Sequence, residues 1–283
     1  MATLAARARL YRVLTLLVAA LVANVARAAM IADSLPPIDA TTSLLVVSPH
    51  PDDETLCCAG VIRRVVTAGG HVSVVWITSG DGSELSMLLV EKNLFKPRDK
   101  VRDLAVKRMA EARAATALLG VDSTRQFFLG FPDGGIRKLL TDNRSNLERD
   151  FTAVLDRVQP TLILAPSPLD THPDHEATGL LAIRALSRRG QLTKAHFWIV
   201  HGGEGWPGPR GYMPGIPLNM PPRGAGLPMV PFVLTDDEET RKLQAVNAYH
   251  TQMQVMAPFL LAFVRTSEIF SAIAVRPAGP ATP

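Results

Sequence analysis

A polar loop at residues 48–54 constrains the fold of this chain more than any other stretch. Its sequence is Ser-Pro-His-Pro-Asp-Asp-Glu. The apolar run at residues 44–47 predicts a buried strand before the loop, and the residues after it predict the start of a helix. Open α/β sheets bind ligands at the carboxyl ends of their strands. One histidine, two aspartates and one glutamate therefore lie where such a sheet would hold a ligand.

A second polar cluster, Asp-Thr-His-Pro-Asp-His at residues 170–175, also follows an apolar run, at residues 162–165. His50, His172 and His175, three of the seven histidines of the chain, lie in these two loops. A single motif of this kind is more often a solvated turn or a helix N-cap than a metal site. Because packing does not explain both clusters together, we predict that the two loops meet around one metal ion.

Apolar and turn-forming segments alternate along the chain in the pattern of an α/β protein. Strands are predicted near residues 43–47, 72–78, 125–129, 161–165, 196–200 and 269–275, and helices near residues 55–68, 97–119, 146–158, 176–187 and 235–248. Alternating strands and helices build a mostly parallel sheet that is covered on both faces. No Gly-x-Gly-x-x-Gly follows the first strand, which argues against a nicotinamide or flavin site.

Residues 1–28 have the pattern of a secretory signal peptide. Arg7, Arg9 and Arg12 form a basic head, an apolar run covers residues 13–25, and Ala-Arg-Ala at 26–28 is typical of a cleavage site. An uncleaved membrane anchor is the alternative, but the apolar run is shorter than the roughly 20 residues of a spanning helix. We therefore expect removal of the leader, a periplasmic or extracellular protein, and no stable membrane anchor after cleavage.

The alkaline character of the chain comes from this leader. The chain has 30 lysines and arginines against 26 aspartates and glutamates, and four of the arginines but none of the acids lie in residues 1–28. Residues 29–283 are therefore formally neutral, so the net charge indicates no nucleic-acid partner. The sequence does not indicate an oligomeric state.

Two further stretches carry expectations about local structure. Cys57 and Cys58 are the only cysteines, and adjacent cysteines are too close for relaxed disulfide geometry, so both are predicted to be unbonded, buried side chains. The segment at residues 202–231 is dense in Gly and Pro and is predicted to lack a regular element. Long segments of this kind are often binding loops, so we assign it as a substrate loop within one domain at residues 29–283.

Two imidazoles and a carboxylate in the polar loops fit a catalytic metal site. His50 and Asp53 can turn toward one ion, and His175 would supply a third ligand. Three protein ligands leave coordination positions open for water, as in catalytic zinc sites. Zinc suits this set, with one ion expected per chain, but Fe2+ or Co2+ would also fit. Such an ion lowers the pKa of its bound water and produces a hydroxide nucleophile.

The remaining polar residues of the two loops have candidate roles around that water. Asp52 adjoins Asp53 but would point differently, toward the water, and is the candidate general base. As an imidazolium, His172 could stabilise an oxyanion or protonate a leaving amine. Asp170 and Asp174 are both candidates for holding the histidine tautomers, and the sequence assigns neither to a particular histidine.

Motifs along most of residues 29–283 resemble those of the PIG-L/LmbE-like de-N-acetylase family. Residues 49–54 resemble the signature loop of that family, and residues 170–175 resemble its downstream His-Pro-Asp-His loop. Weaker similarities are Thr-Ser-Gly-Asp-Gly at 78–82, Arg108-x-x-Glu111, Leu-Gly-Phe-Pro-Asp-Gly at 129–134 and Tyr-His-Thr-Gln at 249–252. The order and spacing of these motifs agree with the family.

The resemblance implies a Rossmann-like three-layer sandwich and a zinc-dependent hydrolysis of the N-acetyl group of a glucosamine-type sugar. It implies His50, Asp53 and His175 as metal ligands. It also implies Asp52 as the general base and His172 as the acid or electrophile. These are the roles that the spacing of the residues suggests independently.

The substrate side of the site is less defined by the sequence. Some members of the family carry a tyrosine two residues before the first histidine of the second loop, where this chain has Asp170 and so lacks the phenol. Arg98, Asp81 and Asp133 are candidates to line the sugar site, although a surface charge and a turn former explain Arg98 and Asp133 equally well. His201, at the end of a predicted strand, is a candidate to touch substrate.

The leading hypothesis is an exported metal-dependent hydrolase that removes the N-acetyl group from an N-acetylglucosamine-type sugar, glycan or glycoconjugate. The same residues would serve the hydrolysis of another amide or of an O-acetyl ester. A third hypothesis is a non-catalytic glycan-binding relative, and the presence of Asp52 beside a full ligand set argues against it.

Overall fold

Apolar runs of the sequence form the strands of one sheet. The computed structural model describes residues 35–82, 98–142 and 146–274. Within them the strands are β1 (Ser43–Ser48), β2 (His71–Thr78), β3 (Gln126–Phe131), β4 (Leu162–Pro166), β5 (Ala195–Trp198), β6 (Met229–Val233) and β7 (Ser267–Ser271). Their order across the sheet is β3-β2-β1-β4-β5-β7-β6. The first five are parallel and β7 pairs antiparallel with β5 and β6, which confirms a mostly parallel sheet.

Helices connect most of these strands. Those of the described residues are α1 (Asp53–Thr67), α2 (Arg98–Leu118), α3 (Ile136–Thr141), α4 (Leu147–Val158), α5 (Pro173–Arg188), α6 (Asp236–Asn247) and α7 (His250–Leu260). The sequence does not predict α3, which has only six residues, or α7, which the non-helical Met256 and Pro258 interrupt. No described helix is long and apolar enough to cross a membrane. The predicted leader at residues 1–28 lies outside the described residues.

The helices cover both faces of the sheet. Leu44 and Val46 of β1 belong to a buried cluster with α1, α2 and α6, whereas Leu45 and Val47 belong to a second cluster with α4 and α5. Side chains alternate along a strand, so the two clusters lie on opposite faces. The described residues all belong to one compact unit, Ser34–Pro283. These observations confirm the predicted three-layer α/β sandwich in a single domain.

The two polar loops start from neighbouring strands. β1 pairs with β2 on one side and with β4 on the other, in a register that joins Leu44 to Leu162 and Val46 to Leu164. The strand order reverses here, and in α/β sheets such a reversal opens a crevice at the carboxyl ends of the strands. One polar loop follows β1 and the other follows β4. The topology therefore brings together segments that are about 125 residues apart in the chain.

Two local predictions are wrong. Cys57 and Cys58 are joined by a disulfide within α1, so neither is a free thiol, although both are buried as expected. The preference against adjacent pairing describes typical disulfides and does not exclude a bond where burial holds two sulfurs side by side. The segment at residues 202–231 is not wholly irregular, because β6 begins at Met229. β6 lies at the edge of the sheet, where Pro231, which has no N–H, is tolerated.

A buried ion pair between α6 and β7 holds α1 in place. The Nζ atom of Lys242 donates to the carboxylate of Glu268 and to the carbonyl oxygen of Leu56, both at 2.7 Å. Glu268 also accepts the backbone N–H groups of Gly60 at 2.9 Å and Val61 at 3.2 Å. The side chains of Lys242 and Glu268 are fully buried. The pair therefore holds the middle of the helix that begins at the first polar loop.

Candidate metal centre

The first polar loop forms a tight turn that points two ligand atoms in one direction. α1 begins at Asp53, directly after this turn. The Oδ2 atom of Asp53 accepts the backbone N–H of His50 at 3.0 Å and lies 3.1 Å from the Nδ1 atom of the same residue. The carboxylate therefore fixes both the backbone and the ring of His50. Both side chains are buried.

His175, in the first turn of α5, completes a triangle of ligand atoms. Its Nε2 atom lies 3.1 Å from Oδ2 of Asp53 and 3.3 Å from Nδ1 of His50. Ligand atoms about 2.0–2.2 Å from a tetrahedral zinc are about 3.3–3.6 Å from one another. The three atoms need only small outward movements to reach that spacing. The structure therefore brings the three predicted ligands together, and their atoms fit an ion of this size.

Asp170 holds the ring of His175 from behind. Its Oδ2 atom lies 3.2 Å from Nδ1 of His175 and accepts the backbone N–H groups of Val200 and His201, each at 2.9 Å. Its Oδ1 atom accepts the backbone N–H of His172 at 2.9 Å. One buried carboxylate thus ties the second polar loop to the end of β5. The hydrogen bond to Nδ1 leaves Nε2 of His175 as the ligand atom.

Two other carboxylates hold the ring of His50. Its Nε2 atom lies 3.2 Å from Oδ1 of Asp133 and 3.4 Å from Oδ2 of Asp174. Asp174 also accepts the backbone N–H groups of Gly134 at 2.6 Å and Ile136 at 3.0 Å. The sequence does not show which aspartate holds which histidine. In the structure Asp170 holds the ring of His175, and Asp174 holds the ring of His50. Asp133, considered only for the sugar site, is a second partner of His50.

The charges of the three ligands depend on one another. Burial lowers the pKa of His175, but the carboxylates of Asp53 and Asp170 outweigh it and raise the pKa to about 9. Burial is likewise outweighed at His50, whose pKa is raised well above its usual value, first of all by Asp133. Despite burial, the two histidines hold the pKa of Asp53 well below its usual range. A divalent cation at this position would supply the positive charge that these protons provide.

Asp52 lies between the ligands and a buried arginine. It directly precedes α1 and has a φ of 125°. Its Oδ2 atom accepts a hydrogen bond from Nη2 of Arg108 at 3.1 Å. Burial raises the pKa of Asp52 to about 8, against the lowering effect of Arg108. A carboxyl group with a pKa near neutrality can accept and return a proton, which the predicted general base must do.

Arg108 is a site residue whose role is not evident from the sequence. Its guanidinium is buried and also donates to the carbonyl oxygens of Pro51 at 2.7 Å and Gly80 at 2.5 Å. It comes from α2, and a basic residue on a largely polar helix gives no sign of burial. Its place in the family-like Arg108-x-x-Glu111 motif is the sequence signal that could have identified it.

His172 caps the N-terminus of α5 and faces the site. Its Nδ1 atom accepts the backbone N–H of Asp174 at 3.2 Å, so the neutral ring carries its proton on Nε2. Burial and the positive charges of His50 and His175 lower the pKa of His172 to about 4. The surroundings therefore favour a neutral imidazole that donates a hydrogen bond, so the predicted imidazolium is wrong.

His201 lies against the same group of rings. Its ring centroid is 4.8 Å from that of His175, and it stacks on Phe259 at 5.5 Å with an interplanar angle of 11°. Burial lowers the pKa of His201 to about 3, so its ring is neutral. One of its nitrogens lies within 4.8 Å of the ligand atoms of Asp53 and His175. His201 thus lines the cavity beside the ligands, and its contact with substrate stays a prediction.

A cavity of about 390 Å³ opens over these groups. Its lining includes the polar residues His50, Asp52, Asp53, Arg108, Asp133, His172 and His201 and the apolar residues Leu56, Val200, Met256 and Phe259. Among the described residues, none from the 202–231 segment lines the cavity. That segment contacts the cavity wall through Arg210, whose guanidinium lies 4.7 Å from the ring centre of Phe259. Its role as a substrate loop stays a prediction. The side chain of Arg98 lies outside what the structure describes.

The segment that builds this site also identifies the family. Residues 45–186, half of the chain, match the family described as GlcNAc-PI de-N-acetylase (PIG-L). The chain belongs to the PIG-L family. The matched segment contains both polar loops, Arg108 and Asp133. Membership confirms the expected family and, with it, the expected class of enzyme, a hydrolase that acts on an amide bond.

Three similar proteins are deacetylases by name. A 1D-myo-inositol 2-acetamido-2-deoxy-alpha-D-glucopyranoside deacetylase from Mycobacterium sp. (strain KMS) is 29% identical over 240 residues, which cover 76% of this chain and 75% of the relative. A deacetylase of the teicoplanin biosynthetic pathway, solved as a triple mutant, has a TM-score of 0.59 at 21% identity and covers 81% of this chain and 97% of that one. The N,N'-diacetylchitobiose deacetylase from Pyrococcus horikoshii has a TM-score of 0.53 at 22% identity, covering 80% and 82%. At such identities the two structural matches establish the fold alone.

Proposed function

We propose that this chain is a zinc-dependent hydrolase that removes the N-acetyl group from an N-acetylglucosamine-type sugar, glycan or glycoconjugate. The observation that carries the proposal is the position of Asp52, which lines the same cavity as His50 and Asp53 and adjoins the triangle that these two residues form with His175. The PIG-L family match and the deacetylase names of the relatives support an N-acetyl group as the target. Zinc is assigned because two imidazoles and a carboxylate are ligands that it favours.

The residues of the cavity have distinct roles in the proposed reaction. A bound zinc would activate a water molecule and polarise the amide carbonyl of the substrate. Asp52 accepts one proton from the attacking water as the water oxygen bonds to the carbonyl carbon. The Nε2–H group of His172 donates a hydrogen bond to the carbonyl oxygen as negative charge develops there. Asp52 then returns its proton to the nitrogen, the carbonyl re-forms as the C–N bond breaks, and the free amine leaves with acetic acid, which ionises to acetate in solution.

The cavity volume agrees with a sugar-sized ligand. Small-molecule sites commonly measure about 300–1,000 Å³, and the value of about 390 Å³ lies near the lower end of that range. We infer that one N-acetylated sugar enters the cavity and that the rest of a longer substrate stays outside it. The apolar side chains of Met256 and Phe259 offer contact area for the less polar parts of that sugar.

The test is the release of acetate and free amine from a panel of N-acetylated glucosaminides. Each compound is paired with an analogue in which an O-acetyl ester replaces the N-acetyl group, and the zinc-loaded protein is incubated with both. Preferential cleavage of the N-acetyl group supports the proposal. Cleavage of the ester without any cleavage of the N-acetyl group would identify the protein as an esterase instead.

The Asp52→Asn variant tests the assigned base. We expect its kcat to fall by about 10²–10⁴-fold, the usual contribution of general acid–base catalysis. Its zinc content should stay unchanged, because Asp52 contributes none of the three ligand atoms of the triangle. A variant with normal zinc content and unchanged kcat would show that another group accepts the proton.

We also propose that the protein is exported to the periplasm or the cell exterior. The signal-peptide pattern at residues 1–28 supports this proposal. Cell fractionation followed by intact-mass measurement should find an exported chain that lacks these residues. A cytoplasmic chain that retains them would contradict the proposal.

A further inference from the structure

Glu54 is a fully buried carboxylate that the reaction described above does not use. Its Oε1 atom accepts hydrogen bonds from the hydroxyl groups of Tyr249 and Thr55 (2.7 Å for Thr55), and its Oε2 atom accepts from Nε1 of Trp76 at 2.9 Å. The Oε2 atom also accepts the backbone N–H of Asp52 at 3.2 Å. Glu54 therefore links α1, β2 and the residue before α7 to the candidate base.

The backbone of Asp52 needs such support. Its φ of 125° lies in a region that residues with a side chain rarely adopt. Conformations of this kind are strained and persist only where the surroundings enforce them. Here the backbone carbonyl of Asp52 accepts the N–H groups of Thr55 and Leu56, both at 3.0 Å, while its own N–H is held by Glu54. The backbone of the residue is thus fixed on both sides.

We propose that Glu54 is a positioning residue for Asp52. By holding the Asp52 N–H, it fixes the strained turn that directs the carboxylate of Asp52 toward Arg108 and the cavity. Tyr249, 195 residues away in the chain, and Trp76 fix the carboxylate of Glu54 in turn. This inference rests on the proposed function, because it assigns Glu54 a role in the reaction that Asp52 serves.

Two substitutions at this position separate positioning from charge. Glu54→Met is similar in length but accepts none of these hydrogen bonds. Glu54→Gln keeps an oxygen that can face the N–H groups of Trp76 and Asp52, while its NH2 group can donate to the hydroxyl oxygens of Tyr249 and Thr55. We expect kcat of Glu54→Met to fall by about 10–100-fold, the usual cost of losing an outer partner, and Glu54→Gln to restore most of the activity. Zinc content and KM should stay near the values of the unmodified protein in both variants.

Glu238→Met is the matched control. Glu238 is also a buried glutamate in contact with α1, but it bonds Arg64 near the far end of that helix. This variant should lose thermal stability and keep its kcat. The proposal would be overturned if kcat fell in proportion to stability in both Glu238→Met and Glu54→Met. Glu54 would then have only a structural role.

A double-mutant cycle with Asp52→Asn gives the decisive measurement. If Glu54 acts through Asp52, Glu54→Met should change the residual kcat of the Asp52→Asn protein hardly at all, so the two effects are strongly non-additive. Independent, multiplicative effects would overturn the proposal. Should Glu54→Met fail to fold, Tyr249→Phe takes its place and is judged by the same non-additivity. An unmodified protein without deacetylase activity would refute the proposed function, whereas an active protein with an additive cycle would refute only the role of Glu54.

Discussion

His175 reaches the site from the second polar loop, and Asp170 fixes its ring at 3.2 Å. We expect His175→Ala to lose bound zinc and deacetylase activity together, because the triangle then keeps only the two ligand atoms of the first loop. Asp170→Asn keeps the ligand but loosens its ring, so metal affinity should fall by about 10–100-fold. Metal content by mass spectrometry and kcat, measured on the same preparations, check both expectations.

His71→Ala provides the control for these variants. His71 is an exposed histidine at the start of β2, outside the cavity lining. This variant should keep full zinc content and full activity. Stoichiometric zinc in the His175→Ala protein would mean that the ion is held by other residues, and the assigned ligand set would then be wrong.

Metal binding at this site should depend on pH. The pKa of His175 is raised to about 9 and that of His50 well above its usual value, so at neutral pH an entering ion must displace protons from both rings. Zinc affinity should therefore increase as the pH rises from about 6 toward 9. Calorimetry at pH 7 in buffers with different ionisation enthalpies should show proton release. A zinc affinity that stays constant across this range would contradict the assigned protonation.

The stability of the metal-free protein should change in the opposite direction. A histidine whose pKa is raised on folding adds stability that is complete below its unfolded pKa of about 6.5 and is lost as the pH rises through about 9. Asp52, with a pKa raised to about 8, acts in the same sense because the folded state favours its protonated form. The melting temperature of protein treated with a chelator should thus fall between pH 6.5 and 9. A rise over this interval would be inconsistent with these shifts.

The residue types of the site are visible in the sequence, but most of their pairings are not. Asp53 and His50 meet within one turn, so their spacing alone places them together. Asp174 lies one residue from His175 in the chain and yet holds His50, because the partner of a side chain depends on how two loops dock. The contact between Glu54 and Tyr249 spans 195 residues and leaves no local pattern.

α1 offers a prediction at the scale of one element. Lys242→Met would leave the carboxylate of Glu268 buried without its cation and the carbonyl of Leu56 without its donor. Breaking a buried ion pair in this way usually costs about 3–5 kcal/mol, and we expect a loss of that size in the free energy of unfolding. Urea denaturation of the zinc-loaded protein measures it. Adding Glu268→Gln should recover part of the loss, and a double variant less stable than the single one would argue against a mutually compensating pair.

The sequence predicts the elements that have a clear pattern of apolar residues. β1, β2 and β4 are nearly continuous apolar runs because both of their faces are buried, and their predicted positions agree with the structure. β6 escapes prediction because Gly and Pro precede it and Pro231 lies inside it, which only an edge position permits. The bond between Cys57 and Cys58 depends on tertiary surroundings that no local rule describes.

At the scale of the whole molecule, the site exists because β1 and β4 are neighbours in the sheet. His50 follows β1 and His175 follows β4, and Nδ1 of His50 lies 3.3 Å from Nε2 of His175. The ion would therefore cross-link the two halves of the sheet at the strand order reversal. Metal binding and folding should be coupled throughout the domain, since the unfolded chain holds no such preformed site.

Removal of the metal should therefore destabilise the whole domain. An ion at 100 times its Kd adds about 2.7 kcal/mol to the free energy of unfolding. For a domain of this size, each kcal/mol shifts the melting temperature by about 2–4 °C, so chelation should lower it by about 5–10 °C, and restoring zinc should reverse the change. Differential scanning calorimetry at pH 8 measures the shift, which should be smaller at pH 6, where protons compete for the two histidines. His175→Ala should show no response to chelator or zinc, and an equal response in that variant would place the stabilising ion elsewhere in the protein.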